Sequence, residues 1–185
     1  MILIFSAPSG SGKSTLVHYL LENRNDLEFS VSCTTRQPRG KEEDGVDYYF
    51  ISNAEFERLI REGAFVEYEK VYAGTYYGTL KSEIERIEKK GHNAVFDVDV
   101  MGGMNLKRIF GEKALSVFVA PPSVEELRNR LIKRATDTPE KIEERIAKAE
   151  VELREKDNFD IIIVNDNLEK AEKELLERVN KFLTK

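Results

Sequence analysis

The 185-residue sequence predicts an α/β fold, a parallel sheet flanked by helices, and three observations predict it. Apolar runs of strand length alternate with amphipathic segments of helix length, the pattern of a parallel sheet covered on both faces. A glycine-rich turn joins the first apolar run to the first helical segment. A stretch at about 34–80 interrupts the alternation and reads as an insertion, a second binding surface.

Ile2-Leu3-Ile4-Phe5 forms the first strand, and Leu16-Val17-His18-Tyr19-Leu20-Leu21 lies in the first helix. Phe29-Ser30-Val31-Ser32 reads as a short second strand, and Pro38 and Gly40 make Cys33 to Gly40 a loop. Tyr48 to Ile51 is extended. Ser52 with Glu55 has the capping-box pattern and opens a short helix carrying Phe56, Leu59 and Ile60, which Gly63 ends. Residues 64–79, rich in Phe, Val and Tyr around Gly74, predict a small β element. A charged helix follows near 80–90, then a strand at Ala94 to Asp99, a helix near 101–110 and a strand at Leu115 to Val119. Pro121-Pro122-Ser123 starts a helix with Val124, Leu127 and Leu131 at helical spacing. Thr138-Pro139 starts another, with Ile142, Ile146, Ala149 and Leu153 on one face. The strand Ile161 to Val164 and an amphipathic helix near 168–183 close the chain.

A hydrophobic share of 41% with 34% charged residues describes a globular protein with a heavily ionised surface. The formal charge of -5 argues against a protein that coats nucleic acid, which needs a basic field. No apolar run is long enough to span a membrane, and no targeting segment is visible at the N-terminus. Cys33 is the only cysteine, which excludes an internal disulfide and fits a cytoplasmic location; it reads as a small, partly buried residue. His18 and His92 lack metal-ligand spacing and read as surface or packing residues.

The chemistry concentrates in four places. In the first, Ala7-Pro8-Ser9-Gly10-Ser11-Gly12-Lys13-Ser14-Thr15 fits G-x-x-x-x-G-K-[ST], with Ala7 replacing the first glycine. Gly10 and Gly12 let the backbone turn tightly, so that its N–H groups and the start of a helix face a phosphate. Lys13 supplies a mobile charge for the outer phosphates, and Ser14 is placed to bind Mg²⁺ directly.

The second place is Ser32 to Tyr48, where Arg36 and Arg39 flank Pro38 and can fork onto one phosphate, with Tyr48 adding a donor. Taken alone, it is equally a basic surface loop. The third is Glu67 with Gly74 to Thr79. A carboxylate can accept from both N1–H and the 2-amino group of guanine, although a strand-edge glutamate is the simpler local reading. The fourth holds Arg130 and Arg134, one turn apart, and Arg145, which has no acidic partner on its own helix. Glu126 offers Arg130 a surface ion pair instead. Asp97 and Asp99 end a strand where a carboxylate can hold Mg²⁺-bound water; Asp97 is the candidate. Asp99-Val100-Met101-Gly102 also fits the D-x-x-G of GTP-hydrolysing switches, but no N-K-x-D guanine motif follows it.

With these residues in place, the chain resembles the guanylate kinase family over nearly its full length. The similar segments are the loop at 7–14, Ser-Val-Ser-x-Thr-Thr-Arg-x-Pro-Arg at 30–39, Gly-x-Asp-Tyr at 45–48, Tyr-Tyr-Gly-Thr at 76–79, Ala-Pro-Pro-Ser at 120–123 and Ile-Val-Asn-Asp at 163–166. The resemblance implies a single nucleoside-monophosphate-kinase-like domain. Its core would be 1–33, 81–124 and 151–185, with a GMP-binding sub-domain at about 34–80 and a helical lid at about 125–150. It implies transfer of the γ-phosphoryl group of MgATP to GMP, with dGMP as a further acceptor.

In that frame Arg36, Arg39, Tyr48 and Tyr77 would hold the GMP phosphate. Ser32, Glu67, Thr79 and Asp99 would surround the base, with Glu42 nearby. Lys13, Arg130, Arg134 and Arg145 would surround the transferring group, and Asn165 would lie near the ATP base. Closure over both nucleotides would exclude water, so ATP hydrolysis without GMP should be slow. The sequence departs from the family pattern at Ala7, at Gly40-Lys41 before Glu42, at Met101 where glutamine is usual, and at Ala135, where glycine is usual and alanine would stiffen the lid. Two rivals are a non-catalytic module of the same fold that binds partner proteins, and a kinase for another mononucleotide.

Overall fold

The computed structural model describes residues 1–70, 74–134 and 137–184. Its elements, in order, are β1 (Ile2–Ser6), α1 (Lys13–Asn23), β2 (Leu27–Phe29), β3 (Cys33–Thr34), β4 (Tyr49–Phe50), α2 (Asn53–Arg61), β5 (Phe65–Lys70) and β6 (Tyr76–Leu80). They continue with α3 (Lys81–Lys89), β7 (Asn93–Asp97), α4 (Val100–Phe110), β8 (Ala114–Ala120), α5 (Val124–Arg134), α6 (Pro139–Arg154), β9 (Ile161–Val164) and α7 (Leu168–Leu183). The chain divides into two units, Met1–Asn25 with Asp97–Lys185, and Asp26–Phe96.

In the first unit the apolar runs make a parallel array. β1 pairs with β8 from Ile2↔Ala114 to Ser6↔Phe118, and β8 pairs with β9 from Val117↔Ile161 to Ala120↔Val164. All residues of β1 and β8 are buried, so neither shows the polar alternation of a half-exposed strand. Leu16 and Leu20 of α1, Leu106 of α4, and Leu175 and Val179 of α7 supply buried helix faces. Asp160 ties β8 to the turn before β9, accepting from Ser116 N at 2.7 Å and Ser116 Oγ at 2.9 Å. Helices α5 and α6 share a core of their own: Leu127, Leu131, Ile142, Ile146 and Ala149. As expected, α6 starts at Pro139, and the Thr138 side chain caps it.

The second unit has the parallel pair β2–β7, from Leu27↔Asn93 to Phe29↔Val95. It also has a four-stranded mixed sheet ordered β4-β3-β6-β5. The predicted aromatic-rich element is the antiparallel β5–β6 pair. Phe56 of α2 stacks on Phe65 at 4.3 Å and on Tyr76 at 4.9 Å, and that aromatic sandwich is the centre of the small core. Gly63 ends α2 with φ 63, a conformation that penalises a Cβ.

Three boundaries differ from the sequence reading. β2 covers 27–29 rather than 29–32: Ser30 N still donates to Val95 O at 2.9 Å, and the next N–H, that of Val31, goes to the buried Glu83 carboxylate at 3.0 Å. Cys33–Thr34 forms a strand instead of loop, paired with both β4 and β6. β7 stops at Asp97, and Asp99 instead caps α4, accepting from Gly102 N at 2.7 Å. Ala135, expected as a lid-hinge substitution, and 71–73 of the predicted β element lie outside the described residues. No described helix is long and apolar enough to cross a membrane.

Candidate active site

In the first unit the chain leaves β1 at Ser6 and re-enters helix at Lys13. Gly10 (φ 95) and Gly12 (φ 90) supply the left-handed turns between, and Ser11 N donates to Pro8 O at 3.1 Å. A Cβ on Gly12 would overlap the Asn165 amide. Gly12 occupies the N-cap of α1 without a side-chain cap, and no acidic residue follows in the first turn. By contrast, Ser52, Asp99, Thr138 and Asn167 cap α2, α4, α6 and α7 with their side chains. The positive end of α1 therefore lacks side-chain compensation and is open to an outside anion.

Lys13 Nζ lies 2.5 Å from Asp97 Oδ1 and donates to Val98 O at 2.9 Å, which ties the start of α1 to the end of β7. Ser6 Oγ donates to Asp99 O at 3.0 Å. Ser14 and Thr15 are exposed in the first turn of α1. Asn165, expected near the ATP base, is buried and donates its amide to Ser11 O at 2.9 Å. Its main-chain carbonyl accepts from Arg130 Nη2 at 2.9 Å, while Arg130 Nε pairs with Glu126 at 3.1 Å. Arg134 is exposed and makes no hydrogen bond or ion pair among the described residues. Arg145 reaches the loop itself, donating from Nη1 to Ser9 Oγ at 2.6 Å.

Among the described residues no cluster of three His, Cys, Asp or Glu side chains could hold a metal alone. Mg²⁺ keeps most of its waters and uses one or two protein oxygens beside substrate phosphates. The Ser14 hydroxyl and the Asp97 carboxylate are hard oxygen donors of that kind.

In the second unit Arg36 is held on every side. Its Nη1 and Nη2 fork onto Glu42 at 2.6 and 2.7 Å, Nε donates to Tyr77 OH at 3.1 Å, and Nη1 donates to Gln37 O at 3.0 Å. Its guanidinium carbon lies 4.9 Å from the Tyr48 ring centre, and Tyr48 meets Tyr77 edge-on at 5.9 Å. Glu42 also accepts from Arg39 N at 2.7 Å. The Arg36 hydrogen bonds hold the Glu42 carboxyl down at about 2. The structure thus brings Arg36, Arg39, Glu42, Tyr48 and Tyr77 together.

A second chain of contacts joins Ser32 Oγ to Thr79 Oγ1 at 3.4 Å, and Thr79 Oγ1 to Glu67 Oε1 at 3.4 Å. The register irregularity between Phe65 and Glu67 sets Glu67 directly opposite Thr79, which makes that contact possible. A Cβ at Gly78 would meet Tyr68 Cβ at 2.8 Å and the Glu67 carbonyl at 2.9 Å, so the close approach of β5 to β6 requires glycine.

Sequence reasoning missed three acids. Glu83, 3% exposed, accepts from Val31 N, from Arg86 Nε at 3.0 Å and from Arg86 Nη2 at 2.8 Å, and so fixes the turn that carries Ser32. Asp137 pairs with Arg145. Glu152 is largely buried on α6, and burial pushes its carboxyl up, with Lys148 and Lys13 opposing and Asp99 adding to the shift. A helix-spacing search pairs Glu83 with Arg86 and Glu152 with Lys148, but it reaches neither the Glu83 contact with Val31 N nor Asp137 beside Arg145, and it is blind to the burial of Glu152.

The family model described as guanylate kinase matches residues 1–182. The chain belongs to the guanylate kinase family. It is 55% identical over 184 residues to the guanylate kinase of Bacteroides thetaiotaomicron, covering 100% of this chain and 90% of that one. It is 49% identical over 185 residues to the guanylate kinase of Porphyromonas gingivalis, with 100% and 98% covered. Among solved structures it is similar to the crystal structure of guanylate kinase from Anaplasma phagocytophilum, with a TM-score of 0.77 and 32% identity over 98% of this chain and 85% of that one. Membership makes the chain an α/β nucleotide-binding kinase of the transferase class. The family function is phosphorylation of GMP by ATP.

Proposed function

We infer that this chain transfers the γ-phosphoryl group of MgATP to GMP through the residues gathered in its two units, giving ADP and GDP. The observation that carries the assignment is the uncapped α1 N-terminus behind Gly10 and Gly12, with Lys13 beside it. Ala7 to Thr15 wrap the ATP phosphates, and Lys13, Arg130, Arg134 and Arg145 neutralise charge on the transferring oxygens. Asn165 serves the ATP side by fixing the loop. Ser14 would hold Mg²⁺ and Asp97 would hold one of its waters; the ion would supply charge neutralisation on the phosphates.

On the acceptor side, Arg36, Arg39, Tyr48 and Tyr77 take the GMP phosphate. The bidentate grip of Arg36 on Glu42 supports this, since the same planar fork accepts a phosphate group. Ser32, Glu67, Thr79 and Asp99 select guanine, with Glu67 accepting from N1–H and the 2-amino group. The attacking phosphate oxygen is already anionic, so no general base is required, and in-line positioning with charge stabilisation carries the rate. The sub-domain at about 34–80, the lid at about 125–150 and a cytoplasmic location belong to the same proposal. The complete Gly12-Lys13-Ser14 sequence favours catalysis over a partner-binding module.

A coupled assay of ADP formation with GMP, dGMP, AMP, UMP and TMP offered in turn tests it. Turnover is expected with the guanine acceptors. Faster turnover with a non-guanine acceptor, or none with GMP, overturns it.

A further inference from the structure

Arg145 has no acid three or four residues away on α6, yet it is not unpaired. Asp137, in the segment just before the Thr138 cap, lies 3.1 Å from Arg145 Nε through Oδ2, and Arg145 Nη2 donates to its Oδ1 at 3.4 Å. Arg145 Nη1 donates to Ser9 Oγ at 2.6 Å. A guanidinium has five N–H donors. Asp137 takes the side edge formed by Nε and Nη2, and Ser9 takes one donor from Nη1. One N–H remains on each terminal nitrogen, the number that a bidentate grip on phosphate oxygens uses.

Burial says which partner is fixed. The Asp137 side chain is 11% exposed and that of Arg145 42%, so the carboxylate is the anchored member. The backbone beside it is set by the Thr138 cap and by Ile142 N donating to Thr138 O at 3.0 Å, which joins Asp137 to the helix that carries Arg145. If Arg145 acted through charge alone, a carboxylate on its guanidinium would weaken it. What the carboxylate adds is direction.

We propose that Asp137 is a positioning residue that turns the free edge of Arg145 toward the transferring phosphoryl group. The proposal rests on the reading that Arg145 contacts that group. The test measures kcat and KM for ATP and GMP in Asp137→Asn, Asp137→Glu, Arg145→Ala and the Arg145→Ala/Asp137→Asn double variant, all below their unfolding temperatures. Asparagine keeps the size of the side chain but turns one of the two acceptors into a donor facing the guanidinium.

Asp137→Asn is expected to lower kcat by about 10²-fold, the cost of misplacing one reacting or stabilising group, with little change in either KM. Asp137→Glu recovers part of that loss. In the Arg145→Ala background the Asp137 substitution costs nothing further, because both changes remove one function. Full turnover in Arg145→Ala would sink the reading on which the proposal rests. A crippled Arg145→Ala beside an unaffected or faster Asp137→Asn, or losses that multiply in the double variant, overturns the role of Asp137 alone.

Discussion

The Asn165 side-chain amide donates to the Ser11 carbonyl at 2.9 Å, and Arg130 in turn donates to the main-chain carbonyl of Asn165, also at 2.9 Å. One buried residue therefore fastens the phosphate loop to an arginine of α5. Replacing Asn165 with Ala leaves the Ser11 carbonyl without this donor, a loss of about 1–3 kcal/mol for a buried polar group. Urea unfolding should report that loss, and KM for ATP should rise because the loop is no longer held. An Asn165→Ala variant with wild-type stability and unchanged KM for ATP would mean that the contact fixes nothing.

Lys13 neutralises Asp97 at 2.5 Å and is the full positive charge at the start of α1. Lys13→Ala should reduce turnover roughly 10³-fold or more, by analogy with arginine fingers, and leave Asp97 as an uncompensated negative charge beside the phosphates. Steady-state kinetics with saturating GMP measure it; a loss below tenfold would remove Lys13 from the machinery.

Glu67 stands opposite Thr79 across β5–β6. Exchange of its carboxylate for an amide, in Glu67→Gln, presents a donor to guanine N1–H or its 2-amino group. The loss of one charge-assisted hydrogen bond is about 1.5–3 kcal/mol, so the GMP-over-AMP ratio of kcat/KM should fall about 10–100-fold. An unchanged ratio would assign base selection elsewhere.

Acid should weaken the second unit through two carboxylates. Burial alone would raise Glu28, but hydrogen bonds from Lys90, Arg86 and His92 outweigh it and hold the group at about 2; Arg36 does the same for Glu42. Both lie below the ordinary 4.5, so their contribution is complete above pH 4.5 and disappears as pH falls toward 2. Glu152 has the opposite sign: its raised carboxyl favours the folded chain at low pH and loses that advantage as pH rises through the raised value. Glu152→Gln should therefore raise the urea midpoint at pH 7, and Glu42→Gln should flatten the acid limb. A lower midpoint for Glu152→Gln would contradict the sign derived from its burial.

Much of the frame was legible because it depends on local pattern. Apolar runs marked β1, β8 and β9 to within a residue, and Thr138-Pro139 marked the start of α6. The loop glycines fell where positive φ is needed. What the chain order hid were contacts between distant residues. Glu83, far along the chain from Val31, takes the Val31 N–H with its side chain, and Asp99 becomes a cap rather than the end of a strand. Arg36, Tyr48 and Glu67 carried ambiguous local signals until the β-sheet register set Glu67 against Thr79 and the loop folded Arg36 onto Glu42. Asp137 was invisible because helical spacing searches only the helix, and the partner of Arg145 precedes it.

The single thiol offers a way to watch one half of the molecule by itself. Cys33 is 1% exposed within β3, and burial, with Glu83 and Asp44 adding to it, pushes the thiol up to about 12. A thiolate is the reacting form, so maleimide can reach this side chain only when the small mixed sheet opens. Its alkylation rate becomes a clock for local breathing of the second unit, read without any engineered label.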